Sequence, residues 1–227
     1  MKAPRRVTMS ALGVMVASQS AHARVLDQLS AAELALVDKG VPIVKSQDMP
    51  GSSWPAVTVY QLVNITPEEA MAVFTDYGEQ ASYLRSCCGV LESRVLDGAV
   101  GGNKRVQRVL YELEVPVVSN ERYELREEMA KGPNGSYSVT WRKVSTGGHS
   151  DDIVGRATFE PRAGKTVFSY NNFTRINEFG AGFFANQSVE RTQRTVAAMA
   201  QHMEKEQASG GVGFQRDLFR LRAALGG

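Results

Sequence analysis

The stretch AVTVYQLVNITPEEAMAVFTDYG, Ala56–Gly78, decides the fold of this 227-residue chain. Its first part alternates as a strand does, with Val57, Val59 and Gln61 on one face and Thr58, Tyr60 and Leu62 on the other. Thr66 then caps a helix, Pro67 occupies its first position, and Glu68 and Glu69 meet the positive end of its dipole. This helix runs to about Thr75 with Ala70, Val73 and Phe74 inward. Asp76-Tyr77-Gly78 breaks it, and a second short helix follows to about Leu84.

Downstream, the pattern changes to strands only. Gly89–Leu96, Lys104–Val117, Glu121–Glu128, Ser136–Val144, Ile153–Glu160 and Thr166–Thr174 read as strands. They are separated by turn signals at Asp97-Gly98, Gly101-Gly102-Asn103, Gly132–Gly135, Gly147-Gly148 and Pro161–Gly164. Such short connections make antiparallel hairpins, because parallel pairs need crossover helices. One long amphipathic helix closes the series near Gln187–Glu206, with Val189, Thr192, Val196, Met199, Ala200 and Met203 along one face. An aromatic, glycine-containing hinge, Phe179–Phe184, precedes it. The expectation is an α+β fold: a curved antiparallel sheet of about seven strands wrapped on a long C-terminal helix, with two short helices after the first strand.

Four segments are expected. Residues 1–23 have the layout of a secretory signal peptide: a basic start (Lys2, Arg5, Arg6), a short apolar centre Ala11–Ala17, and Ala21-His22-Ala23 before the cut; the alternative is a disordered cytosolic N-terminus. Residues 24–55 form a lead-in, with a helix over Leu26–Val37, Ser30 and Glu33 at capping-box spacing, and a short strand over Val41–Ser46. Residues 56–207 are the main domain. Residues 208–227 are a flexible glycine linker and a short amphipathic tail in which Phe214, Leu218, Leu221 and Leu225 oppose Arg216, Arg220 and Arg222. Cleavage after about Ala23 places the protein in the periplasm or outside the cell. It also takes the basic count from 26 to 23 against 24 acidic residues, a formal charge of −1. No broad attraction to nucleic acid survives that change. No other stretch approaches the roughly 18 apolar residues of a membrane span, so a soluble mature protein is expected, and a monomer; its tail is either a frayed or docked terminal helix or a point of transient membrane contact.

The chain is short of reactive chemistry. GxSxG, HExxH, P-loop and dinucleotide motifs are missing from the sequence, and Gly98–Gly102 precedes no helix that could receive a phosphate. His149 beside Asp151 and Asp152 reads as a solvated turn. No catalytic residue, metal ligand or cofactor is assigned. The two cysteines are adjacent, Cys87-Cys88. In an oxidising compartment they could form a vicinal disulfide; alternatively both stay reduced with one packed inside, or Arg85 activates a thiol. Aromatic residues recur instead: Tyr111, Tyr123, Tyr137, Trp141, Phe168 and Tyr170 on strands, Phe183 and Phe184 at the hinge. Tyrosine and tryptophan combine an apolar body with a hydrogen-bonding tip, as a pocket for a mostly apolar ligand requires; equally, they fill an ordinary core. In the strand from Lys104, Val109, Tyr111 and Leu113 share a face opposite Arg108 and Glu112, which leaves those charges in solvent; in the reversed register Arg108 would point inward as an anchor for a ligand carboxylate or phosphate.

The wording of several segments resembles the START/SRPBCC superfamily of helix-grip proteins. Ile65-Thr66-Pro67-Glu68-Glu69 with Val73-Phe74-Thr75-Asp76-Tyr77 is similar to that group's first helix and its acidic–aromatic break. Tyr83-Leu84, the strand Val90–Leu96, and Gly155–Pro161 are similar to that group's segments C-terminal to the break. The likeness covers about residues 56–207, while the lead-in, the adjacent cysteines and the tail depart from it. It implies a cavity between sheet and closing helix for a hydrophobic small molecule such as a lipid, sterol or isoprenoid, bound and carried. The implied lining is Tyr83, Val109, Tyr111, Tyr123, Trp141, Phe168, Tyr170, Phe183, Phe184, Val189, Val196 and Met199. The alternative is an enzyme of the polyketide cyclase or aromatase type using the same cavity. A third reading is an interaction module with a filled core.

Overall fold

The computed structural model describes residues 24–101, 104–114, 119–176 and 185–226. The signal-like N-terminus and the Phe179–Phe184 hinge lie outside these residues, as do 102–103 and 115–118. Eight strands form one antiparallel sheet: β1 (Ile43–Gln47), β2 (Ala56–Val63), β3 (Val90–Gly101), β4 (Lys104–Leu113), β5 (Glu121–Lys131), β6 (Tyr137–Lys143), β7 (Ser150–Arg162) and β8 (Lys165–Ile176). Their spatial order is β1-β2-β8-β7-β6-β5-β4-β3. From β3 to β8 each strand pairs with its successor. By contrast, β2 pairs with β8, so the chain must cross from β2 to the far edge before β3.

Two helices make that crossing. The first, between β2 and the Asp76 break, is Pro67–Phe74 and the second is Tyr77–Cys88. With Ala31–Asp38 as α1, these are α2 and α3. Both α1 and α2 open on complete capping boxes: Ser30 with Glu33, and Thr66 with Glu69. Each cap stabilises its helix by about 1 kcal/mol. The closing helix, α4, spans Ala185–Ser209 and lays Val196, Met199, Ala200 and Met203 against the concave face of the sheet. Near its C-terminal end, Glu204 accepts hydrogen bonds from Asn64 N (2.8 Å) and Asn64 Nδ2 (2.7 Å), which ties α4 to the turn before α2.

Strand alternation sorts the sheet into two faces. The concave face carries Val57, Val59, Val63, Val109, Leu125, Met129, Val139, Ala157, Phe159 and Phe168 into a single core with α2, α3 and α4. The convex face carries Tyr60 and Val167, covered by Val25, Leu26, Leu29 and Val37 of the lead-in. There the Glu160 carboxylate of β7 receives the backbone N–H groups of Val25 (2.5 Å) and Leu26 (3.4 Å), which satisfies the open end of the turn Val25–Gln28.

Several details differ from the sequence reading. The sheet has eight strands rather than about seven because β1, in the lead-in, pairs along β2. The helix expected over Leu26–Val37 is a 3-10 turn followed by α1, broken where Ser30 turns extended to cap α1. Asp97-Gly98 does not turn the chain. It lies within β3, where a register shift between Val95 and Asp97 absorbs the irregularity. The second helix does not stop at Leu84 but runs through both cysteines to Gly89, whose left-handed backbone (φ 68°) ends it. Of the two forms of terminal helix expected for the tail, frayed or docked, it takes the docked one: a 14-residue helix, α5 (Val212–Leu225), on α2. Its apolar face (Phe214, Leu218, Leu221, Leu225) is buried in the main core. Ion pairs Arg222–Glu68 (2.7 Å) and Arg216–Asp76 (3.1 Å) flank it. Each buried leucine there contributes about 1.5–3 kcal/mol, whereas the half-exposed ion pairs add ~0–1 kcal/mol apiece.

Candidate functional site

The space between the concave face and α4 has two unlike halves. In one, Phe159 and Phe168 stack with centroids 5.1 Å apart, and Phe74 of α2 meets them edge-on at 5.5 and 6.0 Å. All three are buried, and this half is filled core. The other half is built of amphipathic rings. Tyr111 stacks on Tyr123 at 5.8 Å, Tyr77 meets Tyr111 edge-on at 6.5 Å, and Trp141 lies 5.1 Å from Tyr170. Here Tyr111, Tyr170 and Asn172 of the strands and Val189 of α4 keep part of their surface accessible.

Ten of the twelve residues expected to line a ligand are described, and all ten fall in or against one cluster: Tyr83, Val109, Tyr111, Tyr123, Trp141, Phe168, Tyr170, Val189, Val196 and Met199. Phe168 belongs to the filled half. Tyr83 stacks on His202 with centroids 3.9 Å apart and so joins α3 to α4. Burial holds the His202 imidazole below its usual range. Phe183 and Phe184 lie outside the described residues. Arg108 points outward, where it pairs with Asp97 (2.5 Å) and Glu124 (3.1 Å). His149 sits in its turn with Nε2 3.1 Å from the Ser119 carbonyl oxygen.

The polar heart of the site was not among the expected residues. Glu127, only 2% exposed, occupies the inward series Tyr123, Leu125, Glu127, Met129 of β5. Tyr77 donates its hydroxyl to Glu127 Oε2, and Gln107 Nε2 donates to the same oxygen at 3.4 Å. Burial pushes the Glu127 carboxyl up to about 7, against the pull of these two hydrogen bonds. Burial, and then the Glu127 charge, drive the Tyr77 and Tyr111 phenols well above their usual range. Tyr111 donates to Gln80 Oε1 (3.0 Å), and Gln80 Nε2 donates to the Phe74 carbonyl (3.0 Å), so α3 is oriented through this network. The signal for Glu127 was present in the sequence: strict alternation places it on the apolar face of its strand, an expensive position for a charge.

Gly155 was also overlooked. A Cβ there would lie 2.4 Å from the Trp141 ring and 2.4 Å from the Asn171 carbonyl oxygen. Only a bare α-carbon lets the indole lie across β7, where Trp141 Nε1 donates to Asn172 Oδ1 at 3.1 Å.

At the end of the site near the start of α4, Arg191 donates to the Cys88 carbonyl oxygen, and burial lowers the affinity of its guanidinium for a proton. Cys87 and Cys88 are joined as a disulfide in the last turn of α3. The nearby ends of β5, β6 and β7 are clamped by a buried pair, Lys143 and Glu121, at 3.7 Å. Lys143 Nζ also donates to Gly147 O (2.7 Å), and Glu121 accepts from Ser150 Oγ (2.6 Å) and the His149 N–H. Burial would raise the Glu121 carboxyl, but these hydrogen bonds and Lys143 outweigh it and hold it below its usual range. A cavity of about 180 Å³ lies on the opposite, convex face, lined by Gln28, Lys45, Thr58, Tyr60 and Asn171 among others. None of the expected ligand-lining residues borders it.

The architecture has counterparts among solved structures. A STAR-related lipid transfer protein from Xanthomonas axonopodis superposes with a TM-score of 0.61 at 16% identity, over 71% of this chain and 93% of that one. Human StAR-related lipid transfer protein 5 gives 0.57 at 12% identity, over 72% and 82%. An aromatase/cyclase from a Streptomyces species gives 0.50 at 15% identity, over 69% and 98%. No protein-family model matches the chain, and no curated protein sequence matches it. The chain shares the α+β helix-grip fold of these solved structures.

Proposed function

We propose that this protein binds a hydrophobic small molecule, such as a lipid, sterol or isoprenoid, between the concave sheet face and α4. The observation that carries the reading is the half-open aromatic region around Tyr111, Tyr123, Trp141 and Tyr170, which combines apolar surface with hydrogen-bonding tips. Enclosure removes ligand surface from water, at about 25 cal/mol per Å² of apolar area. The names of two neighbours, as lipid transfer proteins, support the same class of ligand. The signal-like residues 1–23 support export, and on this reading the protein is a carrier that works across an aqueous space in the cell envelope and touches membranes transiently to load and unload. Native mass spectrometry of the protein purified from its own cell envelope, followed by organic extraction, tests this. A stoichiometric lipid-like adduct on a chain beginning near Arg24 is the expected result. An apoprotein mass that total lipid extract does not change would count heavily against carriage.

A second reading has one specific observation in its favour. A buried carboxyl that titrates near 7, as Glu127 does, is suited to general acid–base work at neutral pH. In the aromatase/cyclase-type reading, Glu127 would move protons on a reactive chain held in the same space. Turnover of a model poly-β-ketone that disappears in Glu127→Gln, with no lipid adduct in the native protein, would favour it over carriage.

A further inference from the structure

Glu127 is a buried carboxylate with unused capacity. Both of its hydrogen-bond donors, Tyr77 and Gln107, end on Oε2, so Oε1 receives neither. Among the described residues no lysine or arginine acts on it as a counter-ion. The cations nearest the interior are engaged elsewhere: Arg105 donates to Gln107 Oε1 (3.0 Å), Arg191 to Cys88 O, and Lys143 pairs with Glu121. Tyr77 donates to the carboxylate directly, the Tyr111 ring meets the Tyr77 ring edge-on at 6.5 Å, and Tyr123 stacks on Tyr111 at 5.8 Å, so a chain of phenols leads away from Glu127. Burial keeps these three phenols protonated. The polar end of the site is therefore one carboxylate without a counter-ion among the described residues, beside a run of neutral phenols that starts at Tyr77.

We infer that Glu127 selects the polar end of the ligand, and that this end is an uncharged hydrogen-bond donor, an alcohol or a phenol. The inference rests on the hydrophobic-ligand reading and narrows it. A hydroxyl can donate to Oε1 and accept from a neighbouring phenol, so every polar group is satisfied without a new buried charge. A carboxylate or phosphate head would place like charges together where little water screens them. An ammonium head would bury a second ion, and the pair would have to recover the desolvation of both.

The test uses the full mature chain and probes that share one alkyl chain: hexadecan-1-ol, palmitate, methyl palmitate and hexadecylamine. Each is titrated at pH 8 by Trp141 fluorescence, in a Trp54→Phe background that leaves a single reporter. Hexadecanol is expected to bind at least ~10-fold more tightly than palmitate, because a like charge beside a buried carboxylate is penalised. Methyl palmitate, which cannot donate, falls between them. In Glu127→Gln the alcohol and the acid should come within ~3-fold of each other, chiefly through stronger palmitate binding. The wild-type ranking decides the matter even if that variant fails to fold. Palmitate or hexadecylamine binding as tightly as hexadecanol overturns the inference and leaves hydrophobic-ligand binding intact. If none of the four probes binds, the ligand-binding reading itself fails, and this inference fails with it.

Discussion

The Tyr77 hydroxyl donates to the Glu127 carboxylate across the interior, linking the first turn of α3 to the middle of β5. Both groups are 2% exposed, so neither can exchange its partner for water at low cost. This contact holds Glu127 against α3 and pulls its carboxyl down against the larger upward push of burial.

Tyr77→Phe removes the hydroxyl and leaves the ring in place. Glu127 then keeps only the long hydrogen bond from Gln107, and the loss should be about 1–3 kcal/mol in urea unfolding. Since the Tyr77 bond pulls the Glu127 carboxyl down, its loss should raise that group's titration further, as read by carboxyl-carbon NMR. An unchanged titration would mean that the contact does not form in solution.

Stability should carry the signature of Glu127. The folded carboxyl holds its proton up to about pH 7, whereas its ordinary value is 4.5. Between those values the folded state binds more protons than the unfolded one, so this contribution to stability falls as pH rises. It is fully present below 4.5 and lost above about 7, and amounts to about 3 kcal/mol at most. Carboxylates held low, such as Glu121 and Glu68, slope the other way. The difference between wild type and Glu127→Gln isolates the Glu127 term. A difference that stays flat from pH 4.5 to 7 would contradict the assignment.

Docking of α5 should contribute strongly to stability through its inner face only. Leu218→Ala or Leu221→Ala opens a hole against α2 and should cost about 2–4 kcal/mol. Phe219, 73% exposed on the same helix, should tolerate alanine within ~0.5 kcal/mol. Equal effects at both kinds of position would show that α5 is not seated as described.

Gly155→Ala should be severe for a small change. The added methyl has no space between the Trp141 ring and the Asn171 carbonyl, and overpacking of this kind costs about 1–3 kcal/mol. Because the indole must shift, the Trp141 emission spectrum should change together with the melting temperature. A stable variant with an unaltered spectrum would refute the close approach.

Lys143→Met should be worse than its exposed counterparts. It leaves Glu121 buried without its cation, at a cost of about 3–5 kcal/mol. Adding Glu121→Gln should return part of that loss in thermal melts, since the uncompensated charge is then gone. If the double variant is no more stable than Lys143→Met, the penalty does not come from the stranded carboxylate.

Much of this arrangement was legible along the chain, because the signals are local. Thr66-Pro67-Glu68-Glu69 states a helix start in adjacent residues, and the alternation of Val57 and Val59 against Thr58 and Tyr60 assigns two faces to β2. The long amphipathic stripe of α4 names its own buried side in the same way. Local sequence therefore determined the element order, the antiparallel hairpins, and most of the residues that meet beneath α4.

Tertiary structure alone decided which of those residues are filled core and which keep accessible surface. Phe168 and Tyr170 are two positions apart on one face, yet Phe168 stacks on Phe159 while Tyr170 keeps part of its surface. Tyr77, Gln107 and Glu127 come from α3, β4 and β5, and their meeting depends on strand registers and on the crossing of α2 and α3 over the sheet. The docking of α5 and the pairing of β1 with β2 likewise join segments distant in sequence. Periodicity specifies the face on which a side chain lies, but not what packs against that face. The burial that shifts Glu127 is a property of the assembled interior, to which no single segment contributes enough atoms to exclude water.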